Sequence, residues 1–395
     1  MENVYDGITC AISQSQKTGS SMCIRQLPLF LFCLSILLCN QVNAVTKIVI
    51  AENGSGHGLL EHTLPAVTLA AARNVDYLEL HVAMTADDEL LVYRDLTLNR
   101  LSNVADVFPE RIRTDGNYYV IDFTLNEIRQ LRLRNEFESN PLSLSLGIPS
   151  LKEELSLIRK LETIFNRKIG ITLEINDPAF HKDSGKDIGN ATLDILALFG
   201  YTSKEDKVFI QCLDSDELQR IHSQLMPEKK MQLSLIQLID PQVDLPAKQQ
   251  AINEKIYNYD WMFTNIGLRM VATYASAIGL PRTALADQNG TLLLSKYVED
   301  AHRYGLKVLV FSLDEKEGQL PAFATDFPSL LNFYYKKAGI DGLYTDAFTE
   351  VLQHNKQLTA EEKWRAELPT FFSSLELSKP TSAQEKLDLQ QKKTY

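Results

Sequence analysis

Four short polar clusters stand where apolar runs end, and each could do chemistry: Glu52-Asn53-Gly54, Glu79-x-His81, Arg94-Asp95 and Glu174-x-Asn176-Asp177. Residues two apart in a strand point to the same face. Glu79 and His81 therefore look into one space, while Leu78, Leu80 and Val82 face the other way. A carboxylate turned into an interior costs free energy unless it is paired or bound to a cation. With Glu174 from a later run the set becomes Glu, His, Glu, a three-donor divalent-metal site with room for a water or a substrate oxygen. The same groups could instead hydrogen-bond one another or meet Arg94, and spacing alone leaves both readings open.

The elements that must position these groups are short β-branched runs separated by stretches of helical spacing. The strand candidates are Ile48–Ala51, Tyr77–Val82, Leu90–Asp95, Ile169–Ile175, Lys207–Leu213, Leu233–Leu238, Ala277–Leu280, Lys307–Leu313 and Gly342–Thr345. Helical spacing falls between them, as in Leu64–Arg73, Leu151–Phe165, Ile188–Phe199, Asp214–Leu225, Met262–Tyr274 and Leu294–Tyr304. Strands alternating with helices predict a parallel sheet with crossover connections. Eight or so such units over ~300 residues fit an α/β protein of the closed (β/α)8 TIM-barrel type better than a doubly wound sheet. No glycine-rich G-x-G-x-x-G turn marks a dinucleotide fold. In such a barrel the site forms at the carboxyl ends of the strands, where the four clusters stand. An insertion is expected after the third strand, over about residues 97–147, with the turn Asp115-Gly116-Asn117 and the pair Tyr118-Tyr119.

The chain divides into residues 1–44, an N-terminal extension plus signal peptide; 45–355, the barrel; and 356–395, a polar C-terminal helix or tail. The apolar run Leu27–Leu38 follows Arg25 and precedes Val42-Asn43-Ala44, the pattern of a secretory signal, which places the protein in the periplasm or outside the cell. The run is short for a span, which needs about 20 apolar residues, so no stable membrane span is expected after cleavage. An uncleaved anchor is the alternative, and Met22 rival to Met1 as the start. Cys212 is the one cysteine after the expected cut and reads as a buried strand residue. The formal charge of −11 argues against a nucleic-acid partner and against electrostatic adhesion to an anionic membrane.

Several runs carry a resemblance. Ala51-Glu52-Asn53-Gly54, then Glu61-His62-Thr63, stand against the motifs A-H-R-G and P-E-N/H-T. Tyr77-Leu78-Glu79-Leu80-His81-Val82 stands against Y-x-E-x-D-V, Arg94-Asp95 against H-D, and Glu174-Ile175-Asn176 against E-I-K. The chain resembles the glycerophosphodiester phosphodiesterases. Asp106-Val107-Phe108-Pro109, Tyr118–Leu125, Gln211-Cys212, Tyr259–Phe263 and Gly342–Asp346 resemble the family's longer periplasmic branch. The similarity runs in order from about Lys47 to Val351.

That resemblance implies hydrolysis of glycerophosphodiesters, such as glycerophosphocholine, to an alcohol and glycerol 3-phosphate. It implies a Ca²⁺ or Mg²⁺ held by carboxylates, two histidines as base and acid, and an arginine on the phosphate. Here the histidines are replaced by Glu52 and Arg94, the arginine by Asn53, the second-strand aspartate by His81 and the lysine by Asn176. Glu61, Glu79, Asp95, Glu174, Gln211, Thr345 and Asp346 match the family. The implied catalytic positions are thus Glu52 and Arg94, with His57 as a substitute imidazole. The substrate-binding positions are Asn53, Arg94, Gln211 and Trp261, and the metal positions are Glu79, His81 and Glu174. Trp261 could join Tyr257, Tyr259 and Phe263 in an aromatic wall for a choline-like group, or pack in the core.

Losing one placed acid or base typically costs about 10²–10⁴-fold in rate, and a guanidinium releases no proton at neutral pH. The expectation is therefore a non-catalytic member that binds a glycerophosphodiester, a phospholipid head group or a partner protein. The alternative is an active hydrolase with Glu52, His81 or His57 in new roles and a changed metal, since His81 favours Zn²⁺ or another transition metal. Arg94 could bind phosphate in place of the lost arginine, or pair with Glu52 and Glu79 and close the pocket.

Overall fold

Short runs rich in Val, Ile and Leu form β1 (Ile48–Ala51), β2 (Tyr77–Met84), β3 (Leu90–Val92), β4 (Gly170–Ile175), β5 (Val208–Cys212), β6 (Ser234–Leu238), β7 (Ala277–Pro281), β8 (Lys307–Phe311) and β9 (Gly342–Thr345). The computed structural model describes residues 47–54, 59–134, 146–241, 258–311, 313 and 320–361. All strands but β3 pair in parallel in the order β1-β9-β8-β7-β6-β5-β4-β2. Strand β2 then returns to β1, with Ile50 opposite Tyr77 and Ala51 opposite Leu78. The sheet closes as the expected (β/α)8 barrel.

One strand departs from its expected role. The run Leu90–Asp95 forms strand only over Leu90–Val92, and β3 lies antiparallel to β2 with Val82 opposite Val92. It is not a barrel stave. Only the turn 85–89 joins the two strands, closed by Thr85 N–H on Glu89 O (2.9 Å) and by left-handed Asp88. A parallel neighbour needs a crossover of a dozen residues or more, so so short a link can only reverse the chain. This reversal returns Arg94 and Asp95 to the rim of the barrel: Tyr93 N–H donates to His81 O at 2.9 Å.

The connecting helices keep the boundaries their sequence dictates. Thr63 caps Leu64–Ala72 by accepting from Ala66 N–H, and Ser150 with Glu153 makes a capping box on Leu151–Phe165. Asn166, left-handed, ends that second helix. Its buried Leu151, Leu155, Ile158 and Leu161 recur at helical spacing, which turns one apolar stripe toward the barrel. Helices Ile188–Leu198, Ser215–Arg220, Asn265–Val271, Tyr297–Arg303 and Phe327–Asn332 follow, and residues 348–361 are also helical.

Three apolar cores result among the described residues. One fills the space between staves and helices, and one fills the barrel with Ile50, Ile236, Leu238, Ala277, Leu309 and Tyr344. The third belongs to the excursion after β3, where Leu98, Tyr118, Phe123 and Ile128 pack on Ala83, Leu91 and Tyr93 of the β2–β3 hairpin. Cys212 is buried and free. The expected signal segment and the chain after Glu361 lie outside the described residues. No helix among the described residues is long and apolar enough to cross a membrane.

Candidate metal centre

Period-two alternation turns Glu79 and His81 of β2 inward, and the parallel register places His81 beside Glu174 of β4. Their ligand atoms lie within 4.8 Å of one another. His81 Nε2 is 3.5 Å from Glu79 Oε2, and His81 Nδ1 is 3.8 Å from Glu174 Oε2. A layer of amides surrounds them. Gln211 of β5, fully buried, donates from Nε2 to Glu79 Oε1 (2.9 Å) and to Glu174 Oε2 (3.0 Å). Its Oε1 accepts from the Tyr344 hydroxyl of β9 at 2.7 Å. Asn53 N–H donates to Glu79 Oε2 at 2.8 Å from a left-handed residue at the end of β1.

Charge follows from this packing. Burial lowers the His81 pKa, but the charges of Glu174 and Glu79 outweigh it and push it up to about 9. Burial pushes Glu79 up as well, yet His81 and the bonds from Asn53 and Gln211 hold it below its ordinary value. Glu174 moves the other way, because burial and the Glu79 charge together outweigh His81. Two carboxylates and one imidazole leave the cluster short of positive charge, which is what a divalent cation supplies. The donor set therefore fits such an ion, and the imidazole shifts preference from Ca²⁺ or Mg²⁺ toward nitrogen-accepting metals.

The other sequence-predicted residues fall around this centre. Glu52 and Asn53 follow β1 at the carboxyl-end rim. Arg94 is exposed, raises no ion pair to Glu52 or Glu79 among the described residues, and its charge still reaches His81 and Glu174. The salt-bridge closure of the pocket through Arg94 is absent among the described residues. Gln211, expected at the substrate-binding positions, lies beneath the carboxylates with both amide atoms engaged by Glu79, Glu174 and Tyr344. Trp261 is half-buried in the turn Asp260–Phe263 and packs on the outer core. His57 and Tyr257 lie outside the described residues.

The roles of four participants are not disclosed by the sequence, although Asn176, His62 and Tyr344 stand in runs named above. Arg100 donates to Asp95 Oδ2 (2.7 Å) and Glu61 Oε1 (2.5 Å), tying the loop after β3 to the loop after β1. His62 is buried edge-on to His81, with ring centroids 5.1 Å apart, and neither ring nitrogen has a hydrogen-bond partner among the described residues. Burial, then the charges of His81, Arg94 and Arg100, hold its imidazole well below the ordinary histidine range. Tyr344 and Asn176 complete the amide layer. Both lie at the end of a strand and at its inward phase, the spacing that sets Asn176 beside Glu174 in the sequence and that also turns Tyr344 inward.

A closed (β/α)8 barrel carries at the carboxyl ends of its staves, where barrels of this class place their sites, a carboxylate–imidazole cluster that could hold a metal ion. Residues 53–350 match the glycerophosphoryl diester phosphodiesterase family, and the chain belongs to it. It is 36% identical over 320 residues to a glycerophosphodiester phosphodiesterase of Haemophilus influenzae, covering 76% of this chain and 87% of that one. A Treponema pallidum enzyme of the same name is 33% identical over 322 residues, covering 77% and 90%. In architecture, a Silicibacter pomeroyi protein carrying that family name superposes with a TM-score of 0.55 at 19% identity, over 81% of this chain and 98% of its own.

Proposed function

We propose that this protein binds a divalent cation at Glu79, His81 and Glu174, and a glycerophosphodiester or phospholipid head-group phosphate beside it through Arg94, and that it hydrolyses the diester slowly or not at all. One observation carries the reading: a three-donor cluster stands at the barrel mouth beside an exposed guanidinium, and Glu52 and Arg94 occupy the rim where the sequence resembles the family's two histidines. A bound cation would offset phosphate charge. Arg94 would hold the phosphate through paired N–H donors. Glu79 and Glu174 would keep their places through Gln211, and Glu61 and Asp95 through Arg100. Neither of the two rim positions, Glu52 and Arg94, holds an imidazole to carry a proton. Among the described residues His62 is enclosed at 2% exposure, and a guanidinium releases no proton at neutral pH.

The test is release of glycerol 3-phosphate from glycerophosphocholine in Ca²⁺, Mg²⁺, Mn²⁺, Zn²⁺ and chelator. The reverted variant Glu52→His, Asn53→Arg, His81→Asp, Arg94→His runs alongside. Silence from the native chain, binding of glycerol 3-phosphate by calorimetry and activity in the variant are expected. Metal-dependent turnover by the native chain would establish the second reading, an active hydrolase with a rearranged base. Glu52 favours that reading by its place directly after β1, and there Glu52→Gln would abolish the rate.

A further inference from the structure

The amide of Asn176 cannot be turned around. Its Nδ2 lies 3.0 Å from Tyr93 O and 2.7 Å from Arg94 O, two carbonyls that only accept. Both hydrogens of the amide are thereby committed, and Oδ1 is the atom left facing His81. That oxygen lies 3.3 Å from His81 Nδ1. An amide oxygen has no proton to give, so a hydrogen bond across this contact requires the proton on Nδ1. We infer that Asn176 is a positioning residue that fixes His81 as the Nδ1–H form, leaving the Nε2 lone pair as the ligand beside Glu79, and so tunes the centre for a nitrogen-accepting metal such as Zn²⁺.

The geometry supports this on both sides of the ring. Nε2 faces Glu79, at 3.5 Å from Oε2, while Nδ1 faces Asn176 Oδ1 at 3.3 Å and, farther off, Glu174 Oε2 at 3.8 Å, so a cation shared by Glu79 and the ring meets Nε2. Ligating histidines commonly donate their second N–H to a carbonyl or carboxylate, which orients the ring and raises its basicity. The brace reaches Asn176 from the β3 return: the carbonyls that lock it belong to Tyr93 and Arg94, directly after β3. The return after β3, through Asn176 of the neighbouring β4 end, thus sets the protonation pattern of a ligand on β2. Asn176 and His81 also differ together from the family residues they resemble, lysine and aspartate. A lysine has only donors, which suits a carboxylate; an imidazole N–H needs an acceptor, and asparagine supplies one. This inference rests on the metal-binding reading proposed above.

The test combines nitrogen-15 NMR of His81 with calorimetric titration of Zn²⁺ and Mg²⁺ into the whole chain. Spectra are taken with Zn²⁺ at neutral pH and in chelator above pH ~9.5, where a neutral ring can be read. In the native protein the ring is expected to keep Nδ1–H in both states, with Nε2 shifted by the metal. Asn176→Lys should lose that preference and about 10–100-fold in Zn²⁺ affinity, with little change for Mg²⁺. Asn176→Asp, which keeps an acceptor, should retain Nδ1–H. Zn²⁺ bound with the proton on Nε2, or an Asn176→Lys protein with native tautomer and native Zn²⁺ affinity, would overturn the inference alone. A native protein that takes up no divalent ion would overturn it together with the metal-binding reading. The native spectrum decides the tautomer even if neither variant folds.

Discussion

Glu154 stands on the buried stripe of helix Leu151–Phe165, with both carboxyl oxygens enclosed and without a hydrogen-bond partner among the described residues. The elements packed most closely on that helix are Leu64–Ala72 and β3, and neither contains a titratable side chain. Burial alone pushes its pKa up to about 8 from an ordinary 4.5. The sign follows directly: the folded chain holds a proton that the unfolded chain has released. This group's contribution is intact below pH 4.5 and is lost as pH rises toward 8. Its size is of the order of a few kcal/mol. The stability of Glu154→Leu relative to the native protein should therefore rise as pH goes from 4.5 to 8.5 in urea titrations. Parallel stability curves for the two proteins would show that Glu154 is ionised or solvated. At the rim, Arg94 makes a different kind of contribution. Removing one charged donor to a phosphate typically costs about 1.5–3 kcal/mol, so Arg94→Ala should weaken glycerol 3-phosphate binding about 10–100-fold. Zn²⁺ affinity measured without phosphate should stay close to native.

At the scale of elements, closure of the barrel depends on β1 meeting β9 at close range. Gly342 lies opposite Ile48, and a methyl group there would come within 2.6 Å of both Ile48 Cβ and Ile48 O. Backbone cannot swing aside as a side chain can. Gly342→Ala should cost about 1–3 kcal/mol, read as a lower denaturation midpoint with an unchanged slope. The staves themselves are legible in sequence, because each is a short run rich in Val, Ile and Leu between helical stretches, even where an inward polar residue such as Glu79, Glu174 or Gln211 interrupts it. The metal donors are legible for a related reason: period two fixes the face of Glu79 and His81 without knowledge of the neighbours. The direction of β3 is not, since Leu90-Leu91-Val92 would look the same in a stave. Only the short turn 85–89 distinguishes the two. Contacts that depend on register stay hidden as well. Gln211 reaches both carboxylates because β5 places it beside Glu174, and Tyr344 reaches Gln211 across the barrel interior. Arg100 joins two loops by a path no spacing rule describes.

For the whole molecule, the centre should act as a stabilising clasp. Its direct donors come from β2 and β4, and its brace extends to β5 and β9, so an ion there ties together staves from opposite ends of the sequence. An ion that binds only the folded chain adds about 2.7 kcal/mol of apparent stability at one hundred times its dissociation constant. Zn²⁺ must first displace the proton that the two glutamates hold on His81, so its uptake should release protons and strengthen as pH rises toward 9. Thermal melts should therefore shift upward in Zn²⁺ over chelator, by more at pH 8 than at pH 6. Calorimetry in buffers of different protonation enthalpy should report the released proton. Mg²⁺ and Ca²⁺, which prefer oxygen, should shift the melt less in the native chain and more in His81→Asp. Glu79→Gln with Glu174→Gln should erase every shift. The net charge of −11 adds a background attraction for any cation, and that background is screened by salt while a buried site is not. A Zn²⁺ shift that vanishes in 0.5 M NaCl (Debye length ~4 Å), or that survives the double glutamine variant, would place the ion on the surface and remove the centre from the function of this barrel.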